Sequence, residues 1–110
     1  MSTLHNESIF KIPNPLPKEF ELFQPVISNE NVQIERIVSS GQNTPNGQWL
    51  EDDRNEWVVL LQGESEISFE DGTNTILNSG DHILIEKHKK HRVVRTSENP
   101  FCIWLAVYFE

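Results

Sequence analysis

The sequence contains little that would place the chain outside a reducing, aqueous compartment. Cys102 is its single cysteine, and a secreted chain of only 110 residues would more often carry disulfides. No hydrophobic run approaches the roughly 18 apolar residues of a membrane span. Residues 1–7 lack the basic and apolar regions of a signal peptide. We therefore expect a cytoplasmic protein with no membrane partner.

Positive charge is also scarce. The chain has 9 Lys and Arg against 17 Asp and Glu, which gives a net charge of −8. Such a field repels a phosphate backbone, so we expect no nucleic-acid partner. The one basic cluster, residues 87–92, is typical of a solvated turn. The length of 110 residues fits one domain with one hydrophobic core.

The first 25 residues differ from the rest. Three prolines in residues 12–17 exclude a helix or a central strand there. Residues 17–23 could then form one short helical turn, with proline at its first position. We divide the chain into an N-terminal arm, residues 1–25, and a barrel, residues 26–110. The arm is expected to pack on its own barrel or on a second subunit through Phe10, Phe20 and Phe23.

From Asn31 onward, short apolar or alternating segments lie between turn signals. Residues 56–61 are almost continuously apolar, which predicts a strand buried on both faces and ended by Gly63. Asp71-Gly72 predicts a tight hairpin. The pattern predicts an all-β sandwich or jelly-roll barrel without long helices. Its eight predicted strands are residues 32–38, 48–51, 56–61, 66–70, 75–77, 82–85, 91–96 and 101–109.

Two segments resemble the motifs of the cupin superfamily. Glu56 to Gly63 reproduces the E-x6-G end of the first motif, G-x5-H-x-H-x3–4-E-x6-G. Gly80 to His91 reproduces the frame of the second, G-x5-P-x-G-x2-H-x3-N. The 16 residues between Gly63 and Gly80 suit the hairpin between the motifs. The resemblance covers about residues 31–109 and implies a cupin jelly-roll barrel. It is closest to small bacterial single-domain cupins without an assigned substrate.

The chain departs from the cupin pattern at several positions. With a four-residue spacer, Trp49 and Glu51 stand where the two histidines of the first motif would be, and with a three-residue spacer Leu50 and Asp52 do. In the second motif Glu86 replaces proline, His88 replaces glycine and Arg95 stands in the place of asparagine. The chain therefore keeps the glutamate and the histidine of the cupin motifs, Glu56 and His91, but differs from the motifs at the neighbouring positions.

Strand alternation, applied to this resemblance, predicts a site in the barrel interior. Glu51, Glu56 and His91 would converge there, and His88 could join them if the turn before His91 faces inward. Buried carboxylates must be paired, protonated or bound to metal. Two carboxylates and an imidazole suit Mn, Fe, Zn or Ni as a divalent metal ion. Without metal, Glu56 and His91 would form a buried ion pair. The predicted substrate pocket adds Trp49, Val58, Leu60, Val93 and Arg95.

Three functions remain open. The first is a metal-assisted enzyme that acts on a small polar metabolite by isomerisation, lyase chemistry or hydrolysis. The second is a non-catalytic cupin that binds or senses a small-molecule ligand. The third is a degenerate cupin whose interior is filled by Trp49 and apolar side chains. The resemblance also implies a homodimer formed through sheet and N-terminal arm exchange.

Overall fold

Residues 6–110 form eight antiparallel strands. The computed structural model describes residues 6–110, and in this part of the chain no helix is long and apolar enough to cross a membrane. The strands are β1 (Leu22–Ser28), β2 (Val32–Ser39), β3 (Asn55–Gln62), β4 (Glu64–Phe69), β5 (Asn74–Asn78), β6 (His82–Ile85), β7 (His91–Thr96) and β8 (Cys102–Phe109).

The strands form two sheets that enclose one core. The larger sheet has the order β1-β2-β8-β3-β6, and the smaller has the order β5-β4-β7. Every neighbouring pair is antiparallel. Apolar side chains from both sheets pack together because each strand turns one face inward. They include Val58, Leu60 and Trp104 from the larger sheet and Ile67, Phe69 and Leu77 from the smaller. The predicted all-β jelly-roll fold is confirmed.

Gly63 carries the chain from the larger sheet to the smaller. Its φ is +99°, in the left-handed region that favours glycine. A Cβ there would lie 2.8 Å from Cys102 Sγ and 2.9 Å from Ser97 Oγ, so the packing also leaves no room for a side chain. Glycine is required at this position for both reasons. The prediction that Gly63 ends β3 is confirmed.

The predicted hairpin at Asp71-Gly72 is confirmed, because β4 and β5 pair on either side of it. The backbone amide of Phe69 donates to the carbonyl of Thr73 at 2.8 Å and closes the turn. Burial of β3 on both faces is not observed. Val58 and Leu60 are buried, whereas Trp57 and its alternate neighbours on the other face are half-buried. That face is therefore partly open to solvent.

The first strand is the main difference from the sequence prediction. Residues 17–23 form bends and the start of β1, not a helical turn. β1 pairs with β2 at the edge of the larger sheet, and its register shifts between Pro25 and Ile27. An edge position with a bulge tolerates proline inside a strand. Residues 48–51 form only an isolated bridge, between Leu50 and His91.

Candidate functional site

A cavity of about 280 Å³ lies between the two sheets. Most of its wall is apolar and comes from both sheets, with Ile37, Val58, Ile67, Ile85, Val93 and Trp104 among the contributors. Its polar wall is formed by Glu21, Glu51, Asp52, Glu56, His91 and Tyr108. A cavity of this size is at the small end of the range for organic ligands.

Among the carboxyl groups that line the cavity, Glu56 has the most strongly raised pKa. It lies on β3 opposite Tyr108 of β8 and Ile85 of β6. Burial raises the pKa of Glu56 to about 7, and the nearby carboxylates Asp52 and Glu35 add to this effect. Hydrogen bonding to Tyr108 and the charge of Arg54 oppose it only in part.

Arg54, the cation whose charge acts on Glu56, is bonded to other partners. Arg54 donates to both carboxylate oxygens of Asp52, at 3.0 and 3.2 Å, and lowers the pKa of Asp52 through these bonds. Its guanidinium also lies 4.6 Å from the centre of the Tyr108 ring. The Tyr108 hydroxyl donates to Glu35 at 3.2 Å. Arg54 therefore fixes Asp52 and Tyr108 and leaves Glu56 without an ion-pair partner among residues 6–110.

His91 lies at the start of β7 and is buried. Its backbone is fixed by two hydrogen bonds with Leu50, of 2.7 and 3.0 Å. Its Nδ1 lies 3.0 Å from the carbonyl oxygen of Lys89, and because a carbonyl can only accept, this nitrogen carries the proton. Burial lowers the pKa of His91, so the ring is held neutral. Nε2 then carries the free lone pair.

Glu51 and His88 lie together at the mouth of the cavity. His88 Nδ1 lies 3.3 Å from a carboxylate oxygen of Glu51, and both side chains are largely exposed. The backbone amide of His88 donates to the carbonyl of Asp52 at 2.7 Å, and the φ of His88 is +65°. This conformation turns His88 towards Glu51 at the rim, away from the interior. His88 does not line the cavity.

The predicted metal set is only partly assembled. Glu51, Glu56 and His91 line the same cavity. However, nowhere in residues 6–110 do three His, Cys, Asp or Glu side chains come close enough together to hold a metal ion. Glu56 and His91 do not form the alternative ion pair either: no ion pair joins them among the described residues, and the lowered pKa of His91 disfavours its charged form. The residues present therefore do not fit a divalent metal ion, and we derive no chemistry from one.

The predicted pocket residues divide into two groups. Val58 and Val93 line the cavity, whereas Leu60 is fully buried in the core beneath it and Trp49 is exposed. Arg95 points outward and pairs with Glu64 and Glu66. The cause is a register shift in β7: Val93 opposes Ile67 and Arg95 opposes Glu66, so one extra residue separates them. This bulge reverses the alternation that would have placed Arg95 beside Val93.

Glu21 is a cavity residue that the sequence did not reveal. It precedes β1, and its carboxylate accepts a hydrogen bond from the Ser39 hydroxyl, which in turn accepts one from Trp104 Nε1 at 3.0 Å. Burial raises the pKa of Glu21. Tyr108 was also missed, although it shares the inward face of β8 with Trp104 and Ala106. Leu50 and Asp52, the first-motif histidine positions under the three-residue spacer, both line the cavity.

Two antiparallel sheets packed face to face around a cavity are typical of a jelly-roll barrel. The family model described as "Cupin domain" matches residues 38–108. The chain belongs to the cupin family. None of the curated proteins matches it.

Several solved structures are similar. A proposed mannose-6-phosphate isomerase from Ralstonia eutropha is 30% identical, with a TM-score of 0.86, over 97% of this chain and 99% of that one. A cupin superfamily protein from Desulfitobacterium hafniense is 19% identical, with a TM-score of 0.71, over 84% and 80%. The DMSP lyase DddQ from Ruegeria pomeroyi is 15% identical, with a TM-score of 0.70, over 82% and 47%. The last two show the fold alone.

Proposed function

We propose that this cupin binds a small organic molecule with a largely apolar body in the cavity between its sheets, and that Glu56 anchors the polar end of that molecule. The observation that carries the proposal is Glu56 itself. Its carboxyl group is mostly buried in the wall of the cavity, and no described cation forms an ion pair with it. A bound molecule that hydrogen-bonds this carboxyl group would offset the cost of burying it.

The lining argues against a sugar phosphate, the substrate that the name of the Ralstonia protein suggests. The described wall contains no Lys or Arg side chain and four carboxyl-bearing ones, Glu21, Glu51, Asp52 and Glu56. A phosphate group needs cationic or backbone amide donors, and carboxylates repel it. We therefore do not extend that activity to this chain.

A second candidate is a metal-independent enzyme. Glu56 and His91 place a carboxyl group and a neutral imidazole on the walls of one cavity, and these are the side chains most often used for proton transfer. Mass spectrometry of the protein incubated with each bound compound distinguishes the two functions. An enzyme converts the compound, whereas a binding protein returns it unchanged.

The binding proposal predicts a selective effect of filling the cavity. A compound that binds in the cavity, added at a concentration of about 100 times its Kd, is expected to raise the Tm of the wild-type protein by about 10 °C in a thermal-shift screen. Val93→Phe places an aromatic ring in the cavity and is expected to abolish this shift. Val94→Phe adds the same ring at the next residue, which does not line the cavity, and is expected to keep it. Equal shifts in both variants would show that the compound binds elsewhere.

We also propose that the protein is a homodimer. Its compartment is proposed to be the cytosol, because Cys102 is a buried free thiol. The support for a dimer is an exposed apolar surface on the N-terminal segment and β1, which includes Phe10, Phe20 and Ile27. β1 also lies at the edge of the larger sheet, where its backbone can pair with another strand.

Light scattering at micromolar concentration is expected to give twice the mass of the chain. The double variant Phe20→Asp, Ile27→Asp is expected to be a monomer, because it places two charges on that surface. Ile76→Asp is a control, since Ile76 is equally exposed but lies on the smaller sheet. A wild-type monomer would refute the proposal.

A further inference from the structure

The electrostatic character of the cavity is one-sided. Four carboxyl-bearing residues reach its wall from separate parts of the chain: Glu21 before β1, Glu51 and Asp52 in the loop before β3, and Glu56 on β3. The one basic residue among the described lining is His91, which burial keeps neutral. The interior therefore carries a negative potential that no lining side chain cancels.

Two of the four carboxyl groups already have partners. Asp52 is bonded by Arg54, and Glu51 faces His88 at the rim. The other two are mostly buried and have no charged donor: Glu21 accepts a hydrogen bond from the Ser39 hydroxyl, and Tyr108, which lies opposite Glu56, donates its proton to Glu35. The cavity thus contains two buried carboxyl groups that lack a counter-ion within residues 6–110.

The apolar wall is also suited to a cation. Phe23, Trp104 and Tyr108 contribute aromatic rings to the lining. The faces of such rings attract ammonium groups, most strongly where water is excluded. Aliphatic side chains such as Ile37 and Ile85 complete the wall and would cover a hydrocarbon body.

We propose that the ligand of this cavity is a small organic cation, an ammonium group on an apolar body, with Glu56 as its counter-ion. The inference rests on the proposed function, that the cavity binds a small molecule. The alkyl or aryl body packs against the aliphatic and aromatic wall. The ammonium group donates hydrogen bonds to the Glu56 carboxylate.

Three probes of similar size that share a phenyl ring and differ in charge test the inference: benzylamine, benzyl alcohol and benzoate. Each is titrated into the 15N-labelled full chain at pH 7.5, and binding is followed by the amide shifts of cavity residues such as Val58 and His91. Benzylamine, which is protonated at this pH, is expected to bind at least about tenfold more tightly than benzyl alcohol, and benzoate more weakly still.

Glu56→Gln removes the charge at constant shape and is expected to reduce the preference for the amine over the alcohol to about threefold or less. Glu66→Gln is the matched control. Glu66 is a half-buried glutamate on the outer face of β4, 3.8 Å from Arg95, and its replacement is expected to leave the preference unchanged. The alcohol titration also reports whether each variant keeps a folded cavity.

Each outcome has one interpretation. An amine preference that Glu56→Gln removes supports the inference. Equal or tighter binding of the alcohol or the benzoate at the cavity overturns it and leaves the proposed function in place. Absence of shifts at cavity residues with all three probes overturns both.

Discussion

Replacing Glu56 with glutamine is expected to stabilise the protein above pH 7 by up to about 3 kcal/mol and to change its stability little near pH 4. The pKa of Glu56 is about 7 in the folded protein against 4.5 for a free glutamate. Between these values the folded state binds more protons than the unfolded state, so the free energy of unfolding falls as the pH rises. Glutamine cannot ionise and removes this loss.

The difference between the two proteins isolates Glu56 from the other groups that titrate. Asp52, Glu35 and Tyr108 face the same carboxyl group, and Arg54 lies near it. His91 has a lowered pKa and acts in the opposite direction, destabilising the protein as the pH falls below about 6.5. His91 is present in both proteins, so to a first approximation its contribution cancels.

Urea unfolding from pH 4 to 8.5 measures this effect. Glu66→Gln is the control, because the Glu66 carboxylate lies against Arg95 and its removal is expected to give no gain at high pH. If Glu56→Gln and the wild-type protein kept a constant difference in stability across the pH range, Glu56 would not be the buried acid that the structure describes.

Arg36→Met is expected to destabilise the protein by about 3 kcal/mol. Arg36 is a fully buried residue of β2. Its guanidinium donates to the Gln24 side chain and to the carbonyl oxygens of Ile9, at 3.0 Å, and Lys11. Methionine fills similar space but donates nothing, so these buried acceptors lose their hydrogen bonds.

Urea unfolding at pH 7 gives the size of the loss, and limited proteolysis shows where the structure opens. Cleavage is expected to increase within residues 6–20, since Arg36 anchors this segment. Arg36→Lys keeps the charge without the planar fork and is expected to lose less. Arg95→Met is the control, because Arg95 is a surface residue paired with Glu64, and its loss is expected to cost less than about 1 kcal/mol. Equal losses at Arg36 and Arg95 would contradict the anchoring role.

Local patterns identified most of the fold. The Asp71-Gly72 turn, the break at Gly63 and the alternation along β4 all appear in the structure because each depends on neighbours in the chain. β1 escaped prediction because Pro25 normally argues against a strand. Only its position at the sheet edge, with a bulge after the proline, makes that residue acceptable.

The site was less accessible from the sequence. The alternation of inward and outward side chains along a strand is interrupted wherever its pairing register shifts. The shift between β4 and β7 turns Arg95 out to solvent. Residues 48–51 do not form a strand, so Leu50 lines the cavity while Trp49 is exposed. Glu21 had no local signal at all, because its place in the cavity depends on Ser39, 18 positions away.

The order of residues by itself determined the all-β class, the two motif segments and the inward direction of Glu56 on β3. These depend on the backbone period and on turn residues, which act over a few positions. The tertiary structure alone decided which carboxyl groups share the cavity, which of them Arg54 neutralises, and that Glu56 has no such partner in the described chain. Those properties depend on distances between strands and on the exclusion of water, and both exist only after the sheets have closed.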